Sequence, residues 1–315
     1  MQDFSFKDAA LSGYRLLRER PMTAVFWFIW SLICGTATIA AMAQMIGPQM
    51  MAMQEIQRAG PTTADPATVM NLTRQIFSFQ IVFALPFGLV TGAISLGAVN
   101  RAILRPQGSA LGYLRFGADE LRLVVSCFVI AIILFVSYFA TVIGATIALV
   151  IGAGPGALKA GLAAAPFSAK IPAIVVGLLG AAAMIFLMVK LSLAAAQTVA
   201  EKGIRIFSSW GLTKGRFWKI LGVYVVAGLP VLVLWIGILA LTVATHPAGG
   251  PPQGLMQAIQ PDLSSLNAAF APRYLLIYAL QAAVGALGLA AVGAPAAYIC
   301  QALLGAAADD DGDGD

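Results

Sequence analysis

Six apolar runs, each long enough to cross a bilayer, leave this chain the least freedom in what it can fold into. They lie at approximately 22–46, 76–99, 121–151, 171–189, 220–244 and 274–304. A hydrocarbon core of about 30 Å needs ~20 helical residues. Inside that core every backbone N–H and C=O must be satisfied without water, which restricts spanning segments to helices or closed barrels. Unbroken runs of this length read as helices. The expected fold class is therefore all-α: a polytopic membrane protein with six transmembrane helices, forming one membrane domain over 1–305. Only 10% of residues are charged, against about 25% in soluble domains, so lipid must be the solvent for much of the surface.

Charge orients the spans. If both termini lie on one side, that side holds fourteen of the 19 lysines and arginines, among them Arg101, Arg105, Arg115, Arg122 and Lys190. Arg58, Arg74, Lys159, Lys170 and Arg273 fall on the other. Lys and Arg accumulate in cytoplasmic loops, so both termini are expected in the cytoplasm. Placement between apolar runs points the basic residues at lipid headgroups, and no nucleic-acid partner is expected. Ala41-Met42-Ala43 has the small-x-small form of a signal-peptide cleavage site, but the run before it is long and carries Trp27 and Trp30. Signal peptides have shorter apolar stretches of ~7–15 residues, so no cleavage is expected.

Punctuation locates further helices. Ser5-x-x-Asp8 reads as an N-cap, and Phe6, Ala10, Tyr14 and Leu17 then share one face, with Lys7, Arg15 and Arg18 away from it. That pattern predicts a helix lying in the membrane interface. Similar units stand before the third span, at 111–116, and before the fifth, at 207–219. Tyr14, Tyr113 and Trp210 are separated by 99 and 97 positions. That spacing suggests three tandem hairpin units, 1–106, 107–203 and 204–305, with chance similarity as the competing reading. Asp65-Pro66 reads as an N-cap and first-turn proline, starting the second helix well before its span. The segments 152–161 and 246–254 are Gly/Pro-rich loops, and 306–315 is an acidic tail expected to be disordered.

Catalytic and metal signatures are sparse. The one histidine, His246, gives no triad or His-rich metal centre, and no phosphate-binding loop exists. Cys34, Cys127 and Cys300 lie inside apolar runs and read as small hydrophobes. Met42, Met45, Met50, Met51 and Met53 could offer thioethers to Cu(I), but with no Cys or His nearby they read as apolar filler. Asp309-x-Asp311-x-Asp313 opens like a calcium loop but lacks its closing Glu, so a solvated tail is the better reading. Neither a metal nor another cofactor is expected. No Asp or Glu lies deep in a span, which argues against proton-coupled transport. Asn100, Gln197 and Gln301 could converge into a polar patch, although intramembrane amides more often join helices, at ~0.6–2 kcal/mol per contact. Pro86, Pro230 and Pro295 read as tolerated kinks, and Lys190 as a cation snorkelling to the interface.

The segment 203–219 carries the clearest surface chemistry. Ile206, Phe207 and Trp210 recur at helical spacing and can enter the acyl boundary, leaving Arg205 among the headgroups. Gly215 can end that helix in a left-handed conformation, turning Arg216-Phe217-Trp218 into the fifth span. Arg205, Trp210, Lys214, Arg216, Trp218 and Lys219 are thus the expected contacts to anionic lipid.

The stretch 190–223, above all Ser208-Ser209-Trp210-Gly211-Leu212-Thr213-Lys214-Gly215-Arg216-Phe217-Trp218, resembles a signature of a broad bacterial family. Its members are the membrane domain attached to some glycerophosphodiester phosphodiesterases and related stand-alone six-helix proteins. The opening 4–21 is similar to that family's first helix. The resemblance implies a multi-pass protein of the bacterial inner membrane with no catalytic residue to carry over, since the phosphodiesterase domain is missing. The expected role is non-enzymatic: a structural, adaptor or lipid-organising protein, with anionic lipids and other membrane proteins as partners. The alternative is a small-solute or lipid transporter with its path along the repeat interfaces. A packed interior rich in Gly and Ala favours the first, and a polar cavity reaching the midplane favours the second.

Overall fold

The computed structural model describes residues 4–59, 65–107, 110–154, 167–244 and 262–310, and among these it contains helices and turns but no strand. Six helical segments are long and apolar enough to cross a membrane: Pro21–Met45, Pro66–Leu104, Leu111–Ala153, Lys170–Ala200, Phe217–Ala244 and Tyr274–Gly305. The chain is an all-α polytopic protein. His246, Lys159 and residues 311–315 lie outside the described residues.

Helix α1 (Phe6–Glu19) starts where expected, with the Ser5 hydroxyl accepting the Asp8 N–H at 3.4 Å. Pro21 opens α2 (Pro21–Met45), placed in the first turn, where its missing N–H costs no helical bond. After α3 (Gly47–Ala59), the Asp65 carboxylate caps α4 (Pro66–Phe79) by accepting the N–H groups of Ala67 and Thr68 at 3.3 and 3.1 Å. A π turn, Gln80–Ala84, joins α4 to α5 (Leu85–Leu104). Pro86 follows that turn after one residue, Leu85. Its ring would clash with the carbonyl four residues back in a regular helix, and the wider turn relieves that crowding.

The remaining helices are α6 (Ala118–Ala153), α7 (Phe167–Leu191), α8 (Ala194–Ala200), α9 (Ser208–Leu212), α10 (Phe217–Ala244), α11 (Leu266–Ala269) and α12 (Pro272–Asp310). Because α12 runs to Asp310, it enters the acidic segment expected to be unstructured. Helix α12 is the hub, with α1, α2, α5, α8 and α10 all packed on it. Its buried face is built from Ala286, Ala290, Ala291, Ala294 and Ala297. Small side chains let helix backbones approach closely where no water-driven force pushes them together. Helices α6 and α7 pair with each other and join the hub through α5 and α8.

Helix α1 packs against the bundle along much of the face expected to meet lipid. Ala9, Ala10, Ser12, Gly13 and Leu16 are buried against the bundle. Gly13 sits so close to α12 that a Cβ there would come within 2.3 Å of the Ala290 carbonyl oxygen. The Tyr14 hydroxyl donates to the Ala227 carbonyl of α10 at 2.5 Å. Much of its apolar face therefore covers protein, while Phe6, Lys7, Leu11 and Arg18 are exposed. A departure from expectation precedes α6. The helix expected at 111–116 is instead a left-handed turn, with φ of +51° at Leu111, +63° at Gly112 and +65° at Tyr113. Non-glycine residues pay for that conformation, and tertiary bonds hold it. Trp27 Nε1 donates to the Gly112 carbonyl at 2.8 Å, and Arg101 Nη2 donates to the Tyr113 carbonyl at 2.7 Å.

Candidate functional site

Phe4, the end of α5, the start of α6 and the connections from α7 to α10 meet at one end of the bundle, where most of the polar chemistry among the described residues gathers. Arg101 of α5 and Glu120 of α6 are 2% and 0% exposed and form a hydrogen-bonded ion pair. The bare Gly97 makes room for the carboxylate, which a Cβ would meet at 2.7 Å. Two charges taken from water cost several kcal/mol each in desolvation, recovered only by good geometry and further hydrogen bonds. The Tyr113 carbonyl supplies one such bond. Arg101 Nε and Glu120 Oε2 are buried without a hydrogen-bond partner.

Around this pair the cluster widens. Arg20 donates to the Tyr113 hydroxyl, with its guanidinium 5.7 Å from the ring centre. That hydroxyl donates to the Pro106 carbonyl at 2.8 Å. Asp119, beside Glu120, accepts from Arg105 at 3.3 Å and Arg122 at 3.1 Å, with Arg115 at 4.0 Å. Arg105 also donates to the Val199 carbonyl at 2.7 Å, tying α8 to this corner. Sequence reasoning placed Arg101 among loop cations and saw no buried acid. The signal was faint: Arg101 and Glu120 each sit at a span end, where a charge is ordinarily solvated.

A second group lies between α7 and α10. Lys190 is buried rather than snorkelling, its ammonium 5.6 Å from the Phe186 ring and 5.8 Å from the Trp210 ring. Such contacts offset desolvation of a cation. Ser209 donates to the Lys190 carbonyl at 2.9 Å, fixing α9 on α7. Gln197 donates to Glu201 at 3.0 Å and accepts from Ser208 at 2.9 Å. Asn100 donates to the Leu96 carbonyl at 2.8 Å, while Gln301 is exposed. No hydrogen bond joins these three amides among the described residues.

Within the 203–219 segment, before α10 opens at Phe217, the chain is helical only over α9, five residues long. Ile206, expected in the acyl boundary, is buried in the protein, whereas Phe207 is exposed. Arg205 is exposed and pairs with Glu201 at 2.9 Å. Trp210 keeps one side exposed and sets the other edge-on against Phe186. Lys214 is exposed, Arg216 half-buried, and Trp218 is 79% exposed. Lys219 donates to the Phe4 carbonyl at 2.6 Å and lies 4.4 Å from that ring centre. Gly215 has φ +75°, the left-handed stop expected before the fifth span.

A cavity of about 160 Å³ opens between α2 and α12, with Ser31, Thr36, Tyr278 and Gln281 as its polar walls. Thr36 and Tyr278 spend their hydroxyl protons on the carbonyls of Leu32 and Ala269, both at 2.7 Å.

No family model matches this chain, and no curated protein or solved structure matches it.

Proposed function

We propose that this chain is a non-catalytic protein of the bacterial inner membrane, with both termini in the cytoplasm, that organises anionic lipid at the cytoplasmic face. The observation carrying this reading is the exposed Phe207, Trp210, Lys214 and Trp218 at the end of the bundle richest in cations. Aromatic rings favour the headgroup boundary, and each nearby cation gains about 1 kcal/mol against anionic lipid. The alanine-lined hub supports a scaffold, since close helix packing favours rigidity over a moving path. The resemblance of 208–218 to the membrane domain of some glycerophosphodiester phosphodiesterases supports the membrane assignment and an adaptor role beside other membrane proteins.

The test is Lys214→Gln, Arg216→Gln and Lys219→Gln together, with topology monitored and co-purifying lipid quantified. Loss of anionic lipid with topology intact is the expected result. Unchanged lipid would leave these residues as orientation signals.

The cavity between α2 and α12 favours a second reading, a small-solute or lipid transporter. Uptake abolished by Gln281→Leu in a reconstituted flux assay would support it.

A further inference from the structure

Asp119 is one carboxylate facing three guanidiniums, and that imbalance sits beside exposed apolar side chains. Arg105 is turned inward by its bond to Val199, so it serves as the anchor. Arg122 holds Asp119 at 3.1 Å through one nitrogen. Arg115 reaches only to 4.0 Å, and its side chain is 61% exposed. A guanidinium carries five N–H donors, so one carboxylate leaves most of those on Arg115 and Arg122 available to a second anion. Locally, three cations face one charge from Asp119, because Glu120 is already committed to Arg101.

The neighbours set the depth. Leu111 and Phe116, in the turn and the link to α6, are exposed, as is Leu121 in the first turn of α6. Apolar side chains of this size lose about 25 cal/mol per Å² when left in water, a loss that an acyl layer removes. Seating them at the acyl boundary puts Arg115 and Arg122, their sequence neighbours, among headgroups. The turn is already fixed by Trp27 and Arg101, so little ordering remains to oppose binding.

We propose that Arg115 and Arg122, gathered by Asp119, which Arg105 anchors, form a site for the phosphodiester of an anionic phospholipid headgroup. Planar guanidiniums match phosphate oxygens in pairs. The cation excess repels the ammonium of a zwitterionic headgroup, which selects the anionic class. This site rests on the lipid-organising reading but is distinct from the 203–219 segment.

The experiment uses the full chain, purified and reconstituted with phosphatidylcholine and phosphatidylglycerol, with retained lipid read by native mass spectrometry. Arg115→Gln with Arg122→Gln should lower phosphatidylglycerol retention about 30-fold, from two headgroup contacts. Arg115→Lys with Arg122→Lys should keep most of it, and helicity should match the parent in both. Unchanged retention in the glutamine variant, while the Lys214, Arg216 and Lys219 variant loses lipid, overturns this site and leaves the broader reading standing. If neither variant loses lipid, both fall. Displacement of phosphatidylglycerol by inorganic phosphate would assign the site to a free anion and overturn the lipid assignment.

Discussion

Gly97 and Glu120 face each other across α5 and α6 with no room for a methyl group between them: a Cβ at position 97 would stand 2.7 Å from a carboxylate oxygen. The buried ion pair therefore depends on a residue that carries no charge. Gly97→Ala should displace the carboxylate from Arg101 and destabilise the protein by about 1–3 kcal/mol, the usual cost of overpacking. Thermal unfolding in detergent measures it. Adding Glu120→Ala should make the combined loss smaller than the sum of the separate ones, and strict additivity would count against the contact.

Arg101→Met alone leaves the Glu120 charge buried without its partner. Such single truncations typically cost about 3–5 kcal/mol, whereas replacing both members of a buried pair by apolar groups is often neutral. The expected order is Arg101→Met and Glu120→Leu each strongly destabilised, with the double variant close to the parent. A denaturation series on all four proteins checks this. A double variant as weak as either single one would mean that the pair is not the unit that matters.

Asp65 gives a pH dependence of known sign. The Ala67 N–H, followed by the Thr68 hydroxyl and N–H, holds its carboxyl below the ordinary value of 3.8. A depressed folded-state value means that the cap stabilises α4 above the ordinary value and is lost as pH falls through the folded one. Between about pH 5 and about pH 2, NMR shifts of Ala67 and Thr68 should report fraying in the parent. Asp65→Asn keeps an acceptor without a titrating group, so its profile should be flat, and a parent-like slope in that variant would remove Asp65 as the cause.

Topology can be tested in intact cells on a cysteine-free background. Lys159→Cys should label rapidly with a membrane-impermeant reagent, while Gln107→Cys and Lys214→Cys should be protected, following the bias of basic residues. Gln107 and Lys214 are exposed on the protein, so protection there cannot come from burial. The reverse pattern would invert the orientation.

The spans were legible because hydropathy over twenty residues is a property of the chain itself, as were the caps at Ser5 and Asp65, which are local chemistry. What stayed hidden depended on partners distant in sequence. Arg101 and Glu120 each stand at a span end, and their burial appears only when α5 meets α6. The left-handed turn at 111–113 has a tyrosine and a leucine at positive φ, a choice no propensity favours; Trp27 and Arg101 impose it. Ile206 shares a helical period with Phe207 and Trp210, yet the protein takes Ile206 while the other two stay at the surface. Periodicity identifies a face without saying whether protein or lipid covers it.

The π turn at Gln80–Ala84 offsets the faces of the two helices it joins. Each helical residue advances the side-chain direction by about 100°, so one residue of slack resets the angle between everything before the turn and everything after it. Helix α4 can thus face α3, where Gln49 donates to Gln75 at 2.9 Å, while α5 keeps Gly97 and Arg101 aimed at α6. The face that α4 gives to α3 is thereby set at a fixed offset from the face that α5 gives to α6.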